Sequence, residues 1–214
     1  MSETTIKAFD NGPLMVSNPP KLTGVHGEID AGERAVLCRC GASKDKPFCD
    51  GSHKKAGFST APSDAKLRTS AIDYTATIES VEVTVSYTPL LCSHAAECQR
   101  LSLEVFNPKA RPWVQPEHGT LESLRAVVAA CPSGALRLGE GEPARHLDPE
   151  GMSITVMKDG PYAVTNIPAP ATSEADGPSA RKYVLSRCGH SKNKPFCDGT
   201  HYDVGWRDDA ETPS

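Results

Sequence analysis

Apolar and polar residues alternate in short runs along most of this chain, which predicts many short β-strands. Residues 6–18, IKAFDNGPLMVSN, contain an alternating run, a Gly-Pro turn and a second alternating run. Residues 154–166, ITVMKDGPYAVTN, have the same order. Helical spacing is clearest in TLESLRAVVAAC, which predicts a helix capped by Thr120. The pattern predicts a strand-rich chain with few helices.

The two hairpins belong to a longer internal repeat. Residues 6–58 align without a gap to residues 154–206, and the match is densest in CGASKDKPFCDGSH against CGHSKNKPFCDGTH. Between the copies, the pattern predicts the strand VEVTVSY, the helix CQRLSLEVF, the edge strand RPWVQP, the helix after Thr120 and the strand ALRL. We therefore expect three domains, at residues 1–66, 72–142 and 150–214, joined by polar linkers.

Composition narrows the classes of protein to consider. With 38% hydrophobic and 6% aromatic residues, the predicted modules are small, and small modules often need metals for stability. A net charge of −4 without a basic run argues against nucleic-acid binding, and no apolar stretch has membrane-spanning length. The first residues lack the regions of a signal peptide, so a cytoplasmic location is expected and the eight cysteines read as metal ligands instead of disulfides.

The first copy gathers one group of candidate ligands. Cys38 and Cys40 follow an apolar strand and are two residues apart, so both side chains face the same side. The chain then turns and returns with Cys49, and Asp50 and Gly51 suit a helix start that brings His53 back towards Cys49. Three sulfurs and one imidazole also suit a structural zinc site, which is the alternative to an iron–sulfur cluster.

These residues resemble the CDGSH family, the mitoNEET-like iron–sulfur proteins, whose pattern is C-x-C-x2-(S/T)-x3-P-x-C-D-G-(S/A/T)-H. The first copy meets it at Cys38, Cys40, Ser43, Pro47, Cys49, Asp50, Gly51, Ser52 and His53. The resemblance implies a 2Fe–2S cluster held by Cys38, Cys40, Cys49 and His53. It also implies a small β-rich fold that pairs two cluster motifs about a twofold axis.

The second copy departs from the family pattern at one ligand. It supplies Cys188, Cys197 and His201, but Ser186 stands at the position of the first cysteine. A serine alkoxide is a harder ligand than a thiolate and its proton is more difficult to remove. The second 2Fe–2S cluster can therefore be serine-ligated, labile, of another nuclearity or absent, and His190 is an alternative donor.

The central region carries a third group of candidate ligands. Cys92 and Cys98 occupy the first and third positions of a ferredoxin-type C-x2-C-x2-C run, Ala95 occupies the second, and Cys131 precedes a proline. The region resembles divergent single-cluster ferredoxin domains. Three cysteines imply a 3Fe–4S cluster, and a 4Fe–4S cluster is the alternative if His94, water or another group completes it. Simple burial of the cysteines is the competing reading.

Together these patterns predict an α+β protein in which two small β-rich CDGSH units pair within one chain around an inserted ferredoxin-like α/β domain. No catalytic motif is legible, so we expect no enzyme. The expected function is one-electron transfer with a soluble redox protein or reductase, by a monomer that binds neither nucleic acid nor membrane. Histidine ligation raises cluster potentials and lets acid release the cluster. Cluster storage or transfer, redox or pH sensing, and a purely structural role are the alternatives.

Overall fold

The computed structural model describes residues 3–208. In the first copy, strands β1–β5 span Thr5–Ala8, Leu14–Ser17, Leu22–Gly24, Gly27–Ile29 and Arg34–Leu37. The central region contains β6 (Ile72–Ile78), β7 (Val81–Tyr87), α1 (Glu97–Leu101), α2 (Leu121–Ala130) and β8 (Leu136–Glu140). The second copy contains β9 (Ser153–Val156), β10 (Tyr162–Thr165), β11 (Lys182–Leu185) and α3 (Thr200–Asp203). Both predicted hairpins are confirmed, as β1–β2 and β9–β10.

The CDGSH copies form two sheets, and one of them, in the order β11-β10-β9-β3-β4, contains strands of both copies. Strands β1, β2 and β5 form an antiparallel sheet, and β9, β10 and β11 form its counterpart in the second copy. Strand β3 of the first copy extends this second sheet by pairing in parallel with β9, where Leu22 lies opposite Ile154. The corresponding residues 170–177 of the second copy form no strand. Pro170, which cannot donate to a ladder, stands there in the place of Leu22 of β3.

One hydrophobic core serves both copies. It joins buried residues of the first copy, such as Leu14, Val16 and Leu22, to Ile154 and Val164 of the second. Burial of apolar surface is the main stabilising contribution to folding, so halves that share a core stabilise each other. The two CDGSH units are therefore parts of one structural body.

The central domain has its own core around an antiparallel sheet in the order β6-β7-β8. Helix α2 begins as predicted after Thr120, whose hydroxyl accepts a hydrogen bond from the Ser123 backbone N–H at 3.1 Å. The predicted helix in CQRLSLEVF is wrong beyond Leu101, where the chain turns. The predicted strand in RPWVQP is reduced to one bridge, between Phe106 and Val114.

A buried lysine fixes the central domain against the second CDGSH unit. Lys182 on β11 is only 1% exposed, and its Nζ donates hydrogen bonds to the carbonyls of Val128 at 2.7 Å and Leu147 at 2.8 Å. Val128 lies in the last turn of α2, where unpaired carbonyls favour a cation. The interface between the domains is therefore held by specific polar contacts.

No helix within residues 3–208 has the length and apolar character needed to cross a bilayer.

Candidate iron–sulfur centres

The first site is built where β5 ends and a 3₁₀ turn at Ser52–Lys54 returns the chain. The sulfurs of Cys38 and Cys40 lie 3.7 Å apart. The sulfur of Cys49 lies 3.4 Å from Nδ1 of His53. The four predicted ligands of the first copy are thus brought together as two pairs.

The other motif residues of this copy hold the loop that carries the ligands. The Ser43 hydroxyl donates to the Phe48 carbonyl at 2.6 Å. The Asp50 carboxylate accepts from the backbone N–H groups of Lys44 and Ser52, both at 2.9 Å, and these bonds lower the pKa of Asp50. Asp50 thereby joins the two arms of the loop on either side of Cys49.

The Cys38–Cys40 pair shares a proton unequally. The hydrogen bond from Cys40 lowers the pKa of Cys38 to about 6, while the same contact raises the pKa of Cys40. A thiolate is the form that binds a metal. The contact between the two sulfurs therefore favours the loss of one proton from the pair, which leaves one thiolate for a metal.

The second site repeats the first with serine in place of one cysteine. The Ser186 hydroxyl oxygen lies 3.7 Å from the Cys188 sulfur, and the Cys197 sulfur lies 3.4 Å from Nδ1 of His201. Serine thus occupies the place that Cys38 has in the first copy. His190 offers its backbone N–H to the Cys188 sulfur at 3.4 Å, while its exposed side chain lines a groove at the surface.

Burial sets the electrostatics of the second site. Burial raises the pKa of the Cys197 thiol to about 12, with smaller contributions from the charges of Cys188 and of Cys92 in the central domain. Burial also lowers the pKa of His201, and the neighbouring His94 lowers it further. Two residues of the central domain thus act electrostatically on this site.

The central site brings Cys92, Cys98 and Cys131 around one small cavity, which Ala95 and Tyr87 also line. Burial raises the pKa of Cys92, and burial together with the charges of Cys92 and Cys131 raises the pKa of Cys98 to about 11. Metal binding must therefore displace protons from these thiols. Ala95 leaves the fourth corner without a side-chain donor, as the sequence predicts.

His94 is directed to the second CDGSH unit. Its backbone adopts the left-handed conformation, with φ 56°, and its ring makes an edge contact with Tyr202 at a centroid distance of 6.4 Å. The ring is also so close to Gly199 that a Cβ placed there would lie 2.7 Å from its Nδ1. The structure therefore gives His94 a contact between domains, which sequence analysis did not foresee.

The donor set fits an iron–sulfur cluster. Thiolate and imidazole are cluster ligands, and a two-iron cluster needs two ligands on each iron. Cys38 with Cys40, and Cys49 with His53, form two such pairs. Within residues 3–208, no three His, Cys, Asp or Glu side chains converge on the position of a single metal ion.

Sequence analysis missed a buried arginine that lies between the first two ligand positions of each copy. Arg39 donates to the carbonyls of Gly12 at 2.9 Å and Phe9 at 2.5 Å, which ties the ligand loop to the β1–β2 turn. Arg187 makes the equivalent bond to the Met157 carbonyl at 2.9 Å. The signal was available, because an arginine occupies the same position in both copies.

Comparison with known proteins finds family matches in three regions of the chain. The family described as "Iron-binding zinc finger CDGSH type" matches residues 11–54 and 159–202, and the family described as "Divergent 4Fe-4S mono-cluster" matches residues 78–141. The Uncharacterized protein YjdI of Escherichia coli K12 is 32% identical over 56 residues, covering 26% of this chain and 74% of YjdI. The rat CDGSH iron-sulfur domain-containing protein 1 is 43% identical over 53 residues, covering 25% of this chain and 48% of the rat protein.

Fold, ligand geometry and family matches together define an iron–sulfur protein. More specifically, the chain belongs to the CDGSH iron–sulfur family, with two copies of the motif flanking a divergent 4Fe–4S mono-cluster domain.

Proposed function

We propose that this protein is a non-enzymatic, monomeric one-electron carrier that works with a soluble redox protein or reductase. The observation that carries the proposal is that the three ligand sites lie close to one another. The backbones of Cys40 and Cys188, one ligand from each CDGSH site, form a β-bridge. Cys92 of the central site in turn contributes to the electrostatic field at Cys197. Sites that only stabilise separate modules would not need to lie close together.

The first site is proposed to hold a 2Fe–2S cluster, one iron bound by Cys38 and Cys40 and the other by Cys49 and His53. The two pairs of ligands support this assignment over a single zinc ion, and visible colour distinguishes them because zinc protein is colourless. The second site is proposed to hold a similar cluster with Ser186 as one ligand. Such clusters supply one-electron redox chemistry, and a neutral imidazole raises the reduction potential relative to an all-thiolate site.

For the central site, the description of the matching family favours the 4Fe–4S alternative over the 3Fe–4S cluster that three cysteines imply. EPR of the oxidised protein separates the two, because an oxidised 3Fe–4S cluster is paramagnetic and an oxidised 4Fe–4S cluster of this type is silent. A triple Cys92→Ala, Cys98→Ala, Cys131→Ala variant provides the control spectrum of the outer sites.

The test of the function starts with protein purified without oxygen. We expect about five to eight irons per chain with a matching amount of sulfide, and reversible one-electron reduction at potentials reached by cellular carriers. A reduced carrier protein should then reduce the clusters within seconds in a stopped-flow experiment. Colourless, sulfide-free protein, or clusters that no carrier protein reduces, would overturn the proposal.

Cluster transfer or sensing is the second candidate function, and one observation favours it. Cys49 and His53 of the first site are only half-buried, so an acceptor protein or a proton can reach them. This function predicts transfer of the cluster to an apo-ferredoxin faster than the reduced protein is reoxidised by a carrier. It also predicts that His53→Cys slows both the transfer and the bleaching of the first site by acid.

A further inference from the structure

The two CDGSH sites differ in exposure although their ligand geometry is the same. In the second site, Cys197 is 2% exposed and His201 is 8% exposed. Their counterparts in the first site, Cys49 and His53, are both half-buried. A protein that exchanges electrons with the outer sites therefore has better access to the first one.

The central domain helps to cause this difference. A Cβ built on Gly199 would lie 2.7 Å from the His94 ring, whereas a Cβ built on Gly51, the matching residue of the first copy, meets nothing within 4 Å. The two glycines have almost equal φ angles, 85° and 86°, so the backbone is not the cause. The loop that carries His94 lies on the second motif and leaves the first motif uncovered.

The charge around the two motifs differs as well. Residues 44–55 of the first copy contain four lysines and two aspartates, whereas residues 192–203 contain two of each. Lys54 and Lys55, which follow His53 and are exposed, are replaced by Tyr202 and Asp203 in the second copy, and this change outweighs the replacement of Asp45 by Asn193. The accessible site is thus also the one with an excess of positive charge.

We infer that the first CDGSH motif is the docking surface for an acidic one-electron carrier protein, and that the second motif faces inwards to the central domain. The inference rests on the proposed function and specifies its partner. Redox proteins form small, transient interfaces in which complementary charge sets the rate of association. In the reaction, the carrier loses one electron to a cluster of this protein and is itself oxidised, or the reverse.

Matched charge reversals test this surface. Lys54→Glu with Lys55→Glu changes the first motif, and Lys158→Glu with Lys192→Glu makes the same change of net charge at exposed positions of the second unit. The probe is a reduced plant-type ferredoxin, which is acidic, mixed with the oxidised holoprotein in a stopped-flow instrument. We expect the first variant to slow the second-order reaction about tenfold or more at low ionic strength, and the difference to shrink at high salt.

Calorimetric binding of oxidised ferredoxin provides a readout that needs no electron transfer, and it should rank the variants in the same order. If both variants lose the same amount of affinity and rate, only net charge matters. If the Lys158, Lys192 variant loses more, ferredoxin docks at the second unit. Either result overturns the inference. If ferredoxin binds at the first motif but never reduces the clusters, the proposed function fails and the docking surface stands. Unchanged iron content and visible spectra show that both variants retain intact sites, and the reduction potentials, measured for each variant, correct the rates for any change in driving force.

Discussion

Replacement of Gly189 by alanine tests the contact between the two CDGSH motifs. Gly189 has a φ of 83°, and a Cβ built there would lie 2.7 Å from the Cys40 carbonyl oxygen of the first copy. Gly51 is a matched control, because its φ of 86° imposes the same backbone strain while its surroundings are open. The comparison isolates the contact between the copies from the general effect of losing a glycine.

The expected size of the effect follows from this geometry. A left-handed alanine costs about 1–2 kcal/mol of stability in either variant. At position 189 the added methyl group also presses on the carbonyl oxygen of Cys40, whose backbone is held in a β-bridge to Cys188. Such overpacking costs about 1–3 kcal/mol. Gly189→Ala should therefore be less stable than Gly51→Ala by about 1–3 kcal/mol, and each kcal/mol lowers the unfolding midpoint of a chain of this size by about 2–4 °C.

Thermal unfolding under anaerobic conditions measures the loss of stability by circular dichroism and the loss of the clusters by visible absorbance. Because the displaced carbonyl belongs to Cys40, Gly189→Ala should also speed the loss of the first cluster, although the substitution lies in the second copy. A background of Cys188→Ser with Cys197→Ser removes the signal of the second site. If Gly189→Ala unfolds at the same temperature as Gly51→Ala and loses the first cluster no faster than the unsubstituted protein, the contact at Cys40 and Gly189 is not as tight as the structure indicates.

Three further predictions concern single side chains. Ser186→Cys should add about two irons per chain, or lengthen the lifetime of the second cluster, because the serine oxygen already lies 3.7 Å from the Cys188 sulfur; unchanged iron content and lifetime would contradict this. Burial lowers the pKa of His146 below its ordinary 6.5, so the unfolded chain binds more protons and stability falls as the pH drops through and below that value. His146→Gln should flatten this slope in unfolding midpoints measured between about pH 7 and pH 5. Asp208→Asn removes the negative charge that pairs with Arg187 in a site where both side chains are 1% exposed, and urea unfolding should show a lower free energy of unfolding.

Local features of this protein were accessible from the sequence. The hairpins formed where alternation flanked a Gly-Pro turn, and α2 began at the threonine that caps it. The spacing of Cys38, Cys40, Cys49 and His53 was sufficient to predict that they meet, because a strand end and a short turn control those distances. The prediction of secondary structure was wrong where the local preference for one structure was weak. The predicted strand RPWVQP forms a single bridge, because its prolines cannot donate to a ladder.

The sequence by itself determined which residues gather at each CDGSH site, because every ligand there lies within sixteen residues of its partners and local geometry fixes their approach. Only the tertiary structure decided how the sites relate to one another. The parallel pairing of β3 with β9, the burial of Lys182 beneath α2 and the contact of His94 with Gly199 all join residues far apart along the chain. The two motif sequences are nearly identical, so they do not show which copy the central domain packs against. That contact depends on packing across the whole molecule.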